Sequence, residues 1–173
     1  MACTSLSPFT KECGKNQAGV QENYMISYGD LAIISGSTQP YATTVGGLVN
    51  QISLASSKKF VKVDNTRKSL ALKASGQLSD SGVATSNAEY TLGLDGFNAK
   101  TGAFIDSLMG NPVVIITKLR TGKYIVVGLD GGFVLTSYEA AVDEAANGAT
   151  LNFSGDTNGI PPELDATVVP SLI

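Results

Sequence analysis

The chain contains no histidine and no tryptophan. Histidine is the usual general base near neutral pH and the commonest metal ligand. Its absence excludes a Ser-His-Asp triad, a Cys-His pair and any zinc site built on imidazole, while carboxylate or lysine chemistry stays open. Cysteine is scarce: Cys3 and Cys13 are the two in the chain, both near its start. Two cysteines cannot staple a domain of this size and their spacing fits no metal motif, so free thiols in a reducing cytoplasm are expected. Charge is thin, with 16% charged residues and a formal net charge of -3. The densest basic stretch runs Lys58, Lys59, Lys62, Arg67, Lys68, Lys73 and is interleaved with Asp64. It reads as a solvated strand face rather than a phosphate-binding patch. No apolar run is long enough to span a membrane, and the start lacks the charged-then-apolar layout of a leader. The expectation is a protein made in a cytoplasm, with no membrane anchor.

What is present suffices for a core. The 173 residues are 43% hydrophobic, with 19 glycines separating short apolar runs. That fits one globular domain. Residues 1–22 are polar and aperiodic and read as an N-terminal arm. From residue 23 to residue 155 strand signals dominate. Tyr24, Ile26 and Tyr28 alternate with polar neighbours; Val45–Leu54, Phe60–Val63 and Ser69–Ala74 follow, the last two predicted as a hairpin through Asp64-Asn65-Thr66. Leu70, Leu72 and Ala74 share one face, and Ser69, Ala71 and Lys73 the other. The polar stretch 76–87 predicts a long loop at a hairpin tip. Tyr90, Leu92 and Leu94 again alternate with Glu89, Thr91 and Asp95.

One helix is predicted over Ala99–Met109, capped by Asn98 or Thr101, with Phe104/Leu108 and Ile105/Met109 at helical spacing and Gly110 and Pro112 ending it. Val113 to Ile116 form an unbroken apolar run, a strand buried on both faces, turned by Thr121-Gly122 into Tyr124–Val127. Phe133–Leu135 and Thr150–Ser154 read as further strands. Ala140, Ala141, Ala145 and Ala146 leave 137–148 open between a short helix and a loop. Pro161, Pro162 and Pro170 mark 156–173 as an irregular C-terminal arm. The expected fold is mainly β: a β-sandwich or barrel of seven to eight strands with one flanking α-helix.

No catalytic constellation emerges. Gly128 to Gly132 lacks the Lys-Ser/Thr of a phosphate loop and reads as a turn. Asp143, Glu144 and Asp156 lack EF-hand spacing. No cofactor is expected, no metal, and no enzyme activity.

The order of the phrases carries more. An arm with Cys13-Gly14-Lys15-Asn16-Gln17-Ala18-Gly19 precedes the first strand. Tyr-Thr-Leu-Gly-Leu at 90–94 leads to Phe-Ile-Asp-Ser-Leu-Met at 104–109 and Asn-Pro-Val-Val-Ile-Ile at 111–116. Thr-Gly-Lys-Tyr-Ile-Val-Val-Gly at 121–128 and Ala-Thr-Leu-Asn-Phe-Ser-Gly at 149–155 close the core. This layout resembles the structural tail proteins of tailed phages, particularly those infecting Bacteroides-like bacteria. More broadly it is similar to the tail tube fold shared with contractile injection and type VI secretion tubes.

The resemblance implies hexameric rings stacked into a tube. In such a tube two hairpins per subunit build an inner barrel, the helix lies outside, and arms or loops bridge rings. It implies copies of itself and other virion tail proteins as partners, double-stranded DNA passing through without specific binding, and a place in the virion tail after assembly in a host cytoplasm. Candidate lumen residues are Ser69, Ala71, Lys73, Glu89 and Thr91; Lys73 fits an acidic lumen only beside an acidic partner. Gln77, Leu78, Ser79, Asp80, Ser81 and Val83 are the candidate inter-subunit loop. Pro8, Phe9, Pro161, Pro162 and Leu164 are candidate ring-stacking positions. The alternatives are a capsid decoration, adaptor or tail-terminator protein, a carbohydrate-binding β-sandwich with a tyrosine platform, and a carboxylate hydrolase.

Overall fold

The structure is a computed structural model that describes residues 19–65, 69–78, 80, 84–96, 98–142 and 147–173. In chain order its strands are β1 (Val20–Ser27), β2 (Tyr41–Thr43), β3 (Val49–Ile52), β4 (Val61–Lys62), β5 (Ala71–Leu78), β6 (Ala84–Asp95), β7 (Val113–Leu119), β8 (Tyr124–Val127), β9 (Val134–Val142), β10 (Asn147–Asp156) and β11 (Glu163–Leu164). Helix α1 (Ala99–Leu108) lies between β6 and β7, and the short α2 (Val169–Leu172) ends the chain.

The strands form two sheets, one of seven in the order β2-β3-β11-β8-β7-β1-β4 and one of four in the order β5-β6-β10-β9. The fold is the expected mainly-β sandwich with a flanking helix. β7 is the spine of the larger sheet. Its run without polar residues is buried on both faces. Val113 and Ile115 turn toward the four-stranded sheet, where Tyr90, Leu92, Leu151 and Phe153 meet them. Val114 and Ile116 turn the other way and are covered by Phe60, Leu164, Val169 and Leu172. Each such side chain contributes about 1.5–3 kcal/mol by leaving water. The hairpin of β7 with β8 holds the expected pairing, Ile115 opposite Val127 and Lys118 opposite Tyr124.

Helix α1 starts where predicted. The Asn98 side chain accepts from the Thr101 amide at 3.0 Å, satisfying one of the orphan donors of the first turn. The Thr101 hydroxyl donates to the Gly96 carbonyl at 2.7 Å. Ile105 and Leu108 are buried between the sheets, while Met109 points out.

Five expectations are corrected. Val20 to Glu22 lie in β1, so the folded body begins before residue 23. β4 and β5 do not form a hairpin: β4 pairs with β1 in one sheet, and β5 pairs with β6 in the other. The polar stretch 76–87 is mostly strand, since β5 runs to Leu78 and β6 begins at Ala84. The alanine-rich stretch is strand up to Val142 and again from Asn147. The C-terminal stretch is not an arm. β11 sits between β3 and β8, and Leu164, Val169 and Leu172 join the core. Its prolines fit because the Pro162 carbonyl still accepts from the Val126 amide at 3.1 Å, and Pro170 lies in the first turn of α2.

Candidate assembly surface

The four-stranded sheet separates two chemistries by simple alternation. On its inner face Leu72 lies opposite Tyr90, Tyr90 opposite Phe153, and Phe153 opposite Leu135. On its outer face one row reads Ala71, Thr91, Asn152, Ser137, and the next Lys73, Glu89, Ser154, Val134. The first row is stitched across three strands. The Thr91 hydroxyl donates to Asn152 Oδ1 at 3.0 Å, and Asn152 Nδ2 donates to the Ser137 hydroxyl at 3.2 Å.

The candidate lumen residues gather here. Ala71, Lys73 and Glu89 are exposed and Thr91 is half-buried on this one face. Ser69 sits at its margin, its hydroxyl donating to the Gly93 carbonyl at 3.3 Å. The register puts Lys73 directly opposite Glu89. Lys73 is the one cation on this face among the described residues, and Glu89, Asp95, Glu139 and Asp156 share it. Sequence reasoning missed the contribution of β9 and β10. The alternation of Thr150, Asn152 and Ser154 with Leu151 and Phe153 was the available signal.

The candidate loop residues divide. Gln77 and Leu78 close β5, and Asp80 lies in the turn beyond; all three are exposed, Leu78 at 73%. Ser79, Ser81 and Val83 lie outside the described residues. From Ala74 to Leu78 every residue is exposed, so this end of the β5–β6 hairpin extends past the core. The stacking candidates divide too. Pro8 and Phe9, like Cys3 and Cys13, lie outside the described residues. Pro161 is buried, Pro162 half-buried, and Leu164 only 1% exposed. These three are built into the body rather than held out on a tail.

β5 and β9 are the outermost strands of this sheet, eight and nine residues long. An uncovered edge of that length presents a row of backbone donors and acceptors ready to pair with another chain.

Other features compete less well. A cleft of about 530 Å³ lies between β4 and the start of α1 and mixes Lys62, Asp64 and Lys100 with Val61, Leu94 and Phe104. Gly128 to Gly132 leads from strand to strand through positive φ at Gly128, Gly131 and Gly132, closed by the Gly132 amide donating to the Gly128 carbonyl at 2.9 Å. At Gly132 an added Cβ would meet Pro112 at 2.5 Å. Of the tyrosines, Tyr24 and Tyr90 are buried and Tyr28, Tyr41 and Tyr124 half-buried, leaving Tyr138 alone exposed, which is no aromatic platform. The Tyr41 hydroxyl donates to Asp130 Oδ1 at 2.6 Å; burial, then this carboxylate, push its pKa up to about 12. Asp143 and Glu144 lie outside the described residues. Among the described residues no helix is long and apolar enough to cross a membrane. Comparison with family models, with curated proteins and with solved structures returned no match for this chain.

Proposed function

We propose that this chain is a ring-forming structural subunit of a phage-type tail tube, closing by edge-to-edge sheet pairing and stacking into a conduit for the genome. One observation carries the reading: an antiparallel four-stranded sheet with both edges open among the described residues and one small, polar, mostly acidic face. Within it β5 and β10 run one way and β6 and β9 the other. A copy rotated about an axis along the strands therefore brings its β5 antiparallel to β9 of the first. The even strand count preserves the alternation at every joint, and ring closure removes every edge.

Six copies, the number implied by the tail tube resemblance, give a barrel of about 24 strands. At about 4.8 Å per strand its diameter is about 37 Å before tilt widens it. Barrels of about 16–18 strands already leave an aqueous channel. A lumen of Ser, Thr, Asn and carboxylates repels phosphates and offers DNA nothing to grip. The protruding end of the β5–β6 hairpin and the paired Val142 and Asn147 of β9 and β10 lie at opposite ends of the sheet, where one ring would meet the next. In this reading the protein has no chemistry of its own; its partners are its own copies, neighbouring tail proteins and passing DNA, and it resides in the virion.

Negative-stain microscopy of the purified chain tests this. Stacked rings or tubes are expected. A particle that stays monomeric at every concentration overturns the reading, and single rings that never stack point to an adaptor or terminator. A proline scan sharpens the result. Neighbouring residues of a strand aim their N–H groups to opposite sides, so of Ala140→Pro and Ala141→Pro one spares the β10 ladder and removes an outward donor. That variant is expected to stay folded and lose assembly.

A further inference from the structure

The sandwich is unlike at its two flanks. On the β9 side α1 fills the space between the sheets with Ile105 and Leu108. Its exposed flank, with Gly102 and Asp106, borders a groove of about 430 Å³ shared with Tyr138 and Ala140 of β9. On the β5 side no helix stands among the described residues. An apolar groove of about 430 Å³ opens there, lined by Val20, Leu70, Leu72, Leu119, Ile125 and Pro161, with Ile160 at its rim. Ile160 is 88% exposed.

We infer that α1 of one copy is the plug for the open flank of the next, a second contact beneath the β9–β5 strand joint. The inference rests on the ring reading, and its partner is a second copy of this chain. Two observations carry it. The strand polarities that bring β9 against a neighbour's β5 also bring the α1 flank against the neighbour's groove, because each lies under its own edge strand. Ring geometry then demands a filler. Sheets pack about 10 Å apart, so the outer layer of a closed ring must span more arc than the inner one. For about five to eight copies the excess is about 8–13 Å per joint. An α-helix with its side chains is about 10–12 Å wide.

Gly102 makes the test clean. It lies mid-helix, and an added Cβ meets nothing within 4 Å in this copy. Side chains there are free in the monomer, and all but proline favour the helix over glycine. The experiment compares wild type, Gly102→Ala and Gly102→Arg for melting temperature and for the concentration at which rings form, read by sedimentation and microscopy. Both variants are expected to melt at or above the wild-type temperature. Gly102→Ala assembles as wild type does, whereas Gly102→Arg needs at least about tenfold more protein, as loss of a central interface contact does. Ile160→Asp, on the exposed rim of the groove, is expected to show the same loss from the other side. Rings at wild-type concentration in both Gly102→Arg and Ile160→Asp overturn the plug and leave the ring reading standing. A wild-type chain that never forms rings overturns both.

Discussion

The two sheets of this molecule are built from the same residue vocabulary and end in opposite conditions. In the seven-stranded sheet β7 is buried on both faces: β11 completes the sheet between β3 and β8, and Leu164 with Val169 and Leu172 of α2 packs on the face that the other sheet leaves open. In the four-stranded sheet one face is polar and, among the described residues, both edge strands are uncovered. Residues 163–172 help close one sheet, while the other ends in edge strands of eight and nine residues; in the proposed ring this separates holding the fold together from meeting a partner.

The widest gap between the sheets is expected in stability. Ile115 and Leu164 are 0% and 1% exposed. Ile115→Ala and Leu164→Ala should each cost about 2–5 kcal/mol through lost burial and the cavity left behind. Lys73→Ala, on the outer face of the smaller sheet, should stay within about 0.5 kcal/mol. Denaturant unfolding of the unassembled chain measures all three. A Leu164→Ala cost as small as that of Lys73→Ala would mean that the C-terminal segment is a loose tail after all, and the contrast would fall.

A smaller effect probes where the sheets meet. The Tyr90 hydroxyl, the Thr117 hydroxyl and Asn23 Oδ1 are buried without a hydrogen bond among the described residues, and Asn23 and Thr117 are opposite in register. Burial pushes the Tyr90 pKa up to about 12; Thr117 lies near enough to oppose that shift slightly but falls short of hydrogen-bond geometry. An orphaned hydroxyl keeps its desolvation cost, so Tyr90→Phe should raise stability by about 1 kcal/mol. A loss of that size would show that the hydroxyl has a partner, and the inter-sheet core would then be polar by construction rather than by tolerance.

The same contrast explains what could be read from the sequence. β7, β8 and α1 were legible because burial writes itself into them, as an unbroken Val-Val-Ile-Ile run and as Phe104/Leu108 and Ile105/Met109 at helical spacing, although the buried pair is Ile105 and Leu108 and Met109 is exposed. The inner face of β5 and β6 was legible through Leu70, Leu72, Tyr90 and Leu92. The distal end of the β5–β6 hairpin was not, since Ser75, Gly76 and Gln77 are exposed whichever way they point. β9 was not, because its alanines carry helix propensity that pairing with β10 overrides. The C-terminal prolines looked like breakers and instead stand just before a strand and in the first turn of a helix, where a missing N–H is tolerated. Elements held by backbone pairing leave little hydrophobic pattern, and edges for pairing with another chain are elements of that kind.

The smallest expected effect lies at the rim of the larger sheet, where charge rather than burial ties strands together. Glu22 of β1 accepts from Lys62 of β4 at 3.2 Å and from the Tyr24 hydroxyl at 3.2 Å, and Lys118 of β7 lies at 3.5 Å. The Lys62 hydrogen bond, with smaller help from Tyr24 and Lys118, outweighs desolvation and lowers the Glu22 pKa. A carboxyl lowered in the folded state binds its proton more weakly there than in the unfolded chain. Its contribution to stability is therefore complete above the unfolded value of about 4.3 and is lost as pH falls through the lower folded value. Glu22→Gln should leave the unfolding free energy nearly unchanged at neutral pH, because partly exposed ion pairs are weak. It should also flatten the acid limb of the stability–pH curve below about pH 4.3. An acid limb identical in the variant and the wild type would show that the three strands meeting at Glu22 are joined by their ladders alone, and that the larger sheet needs no charge to close.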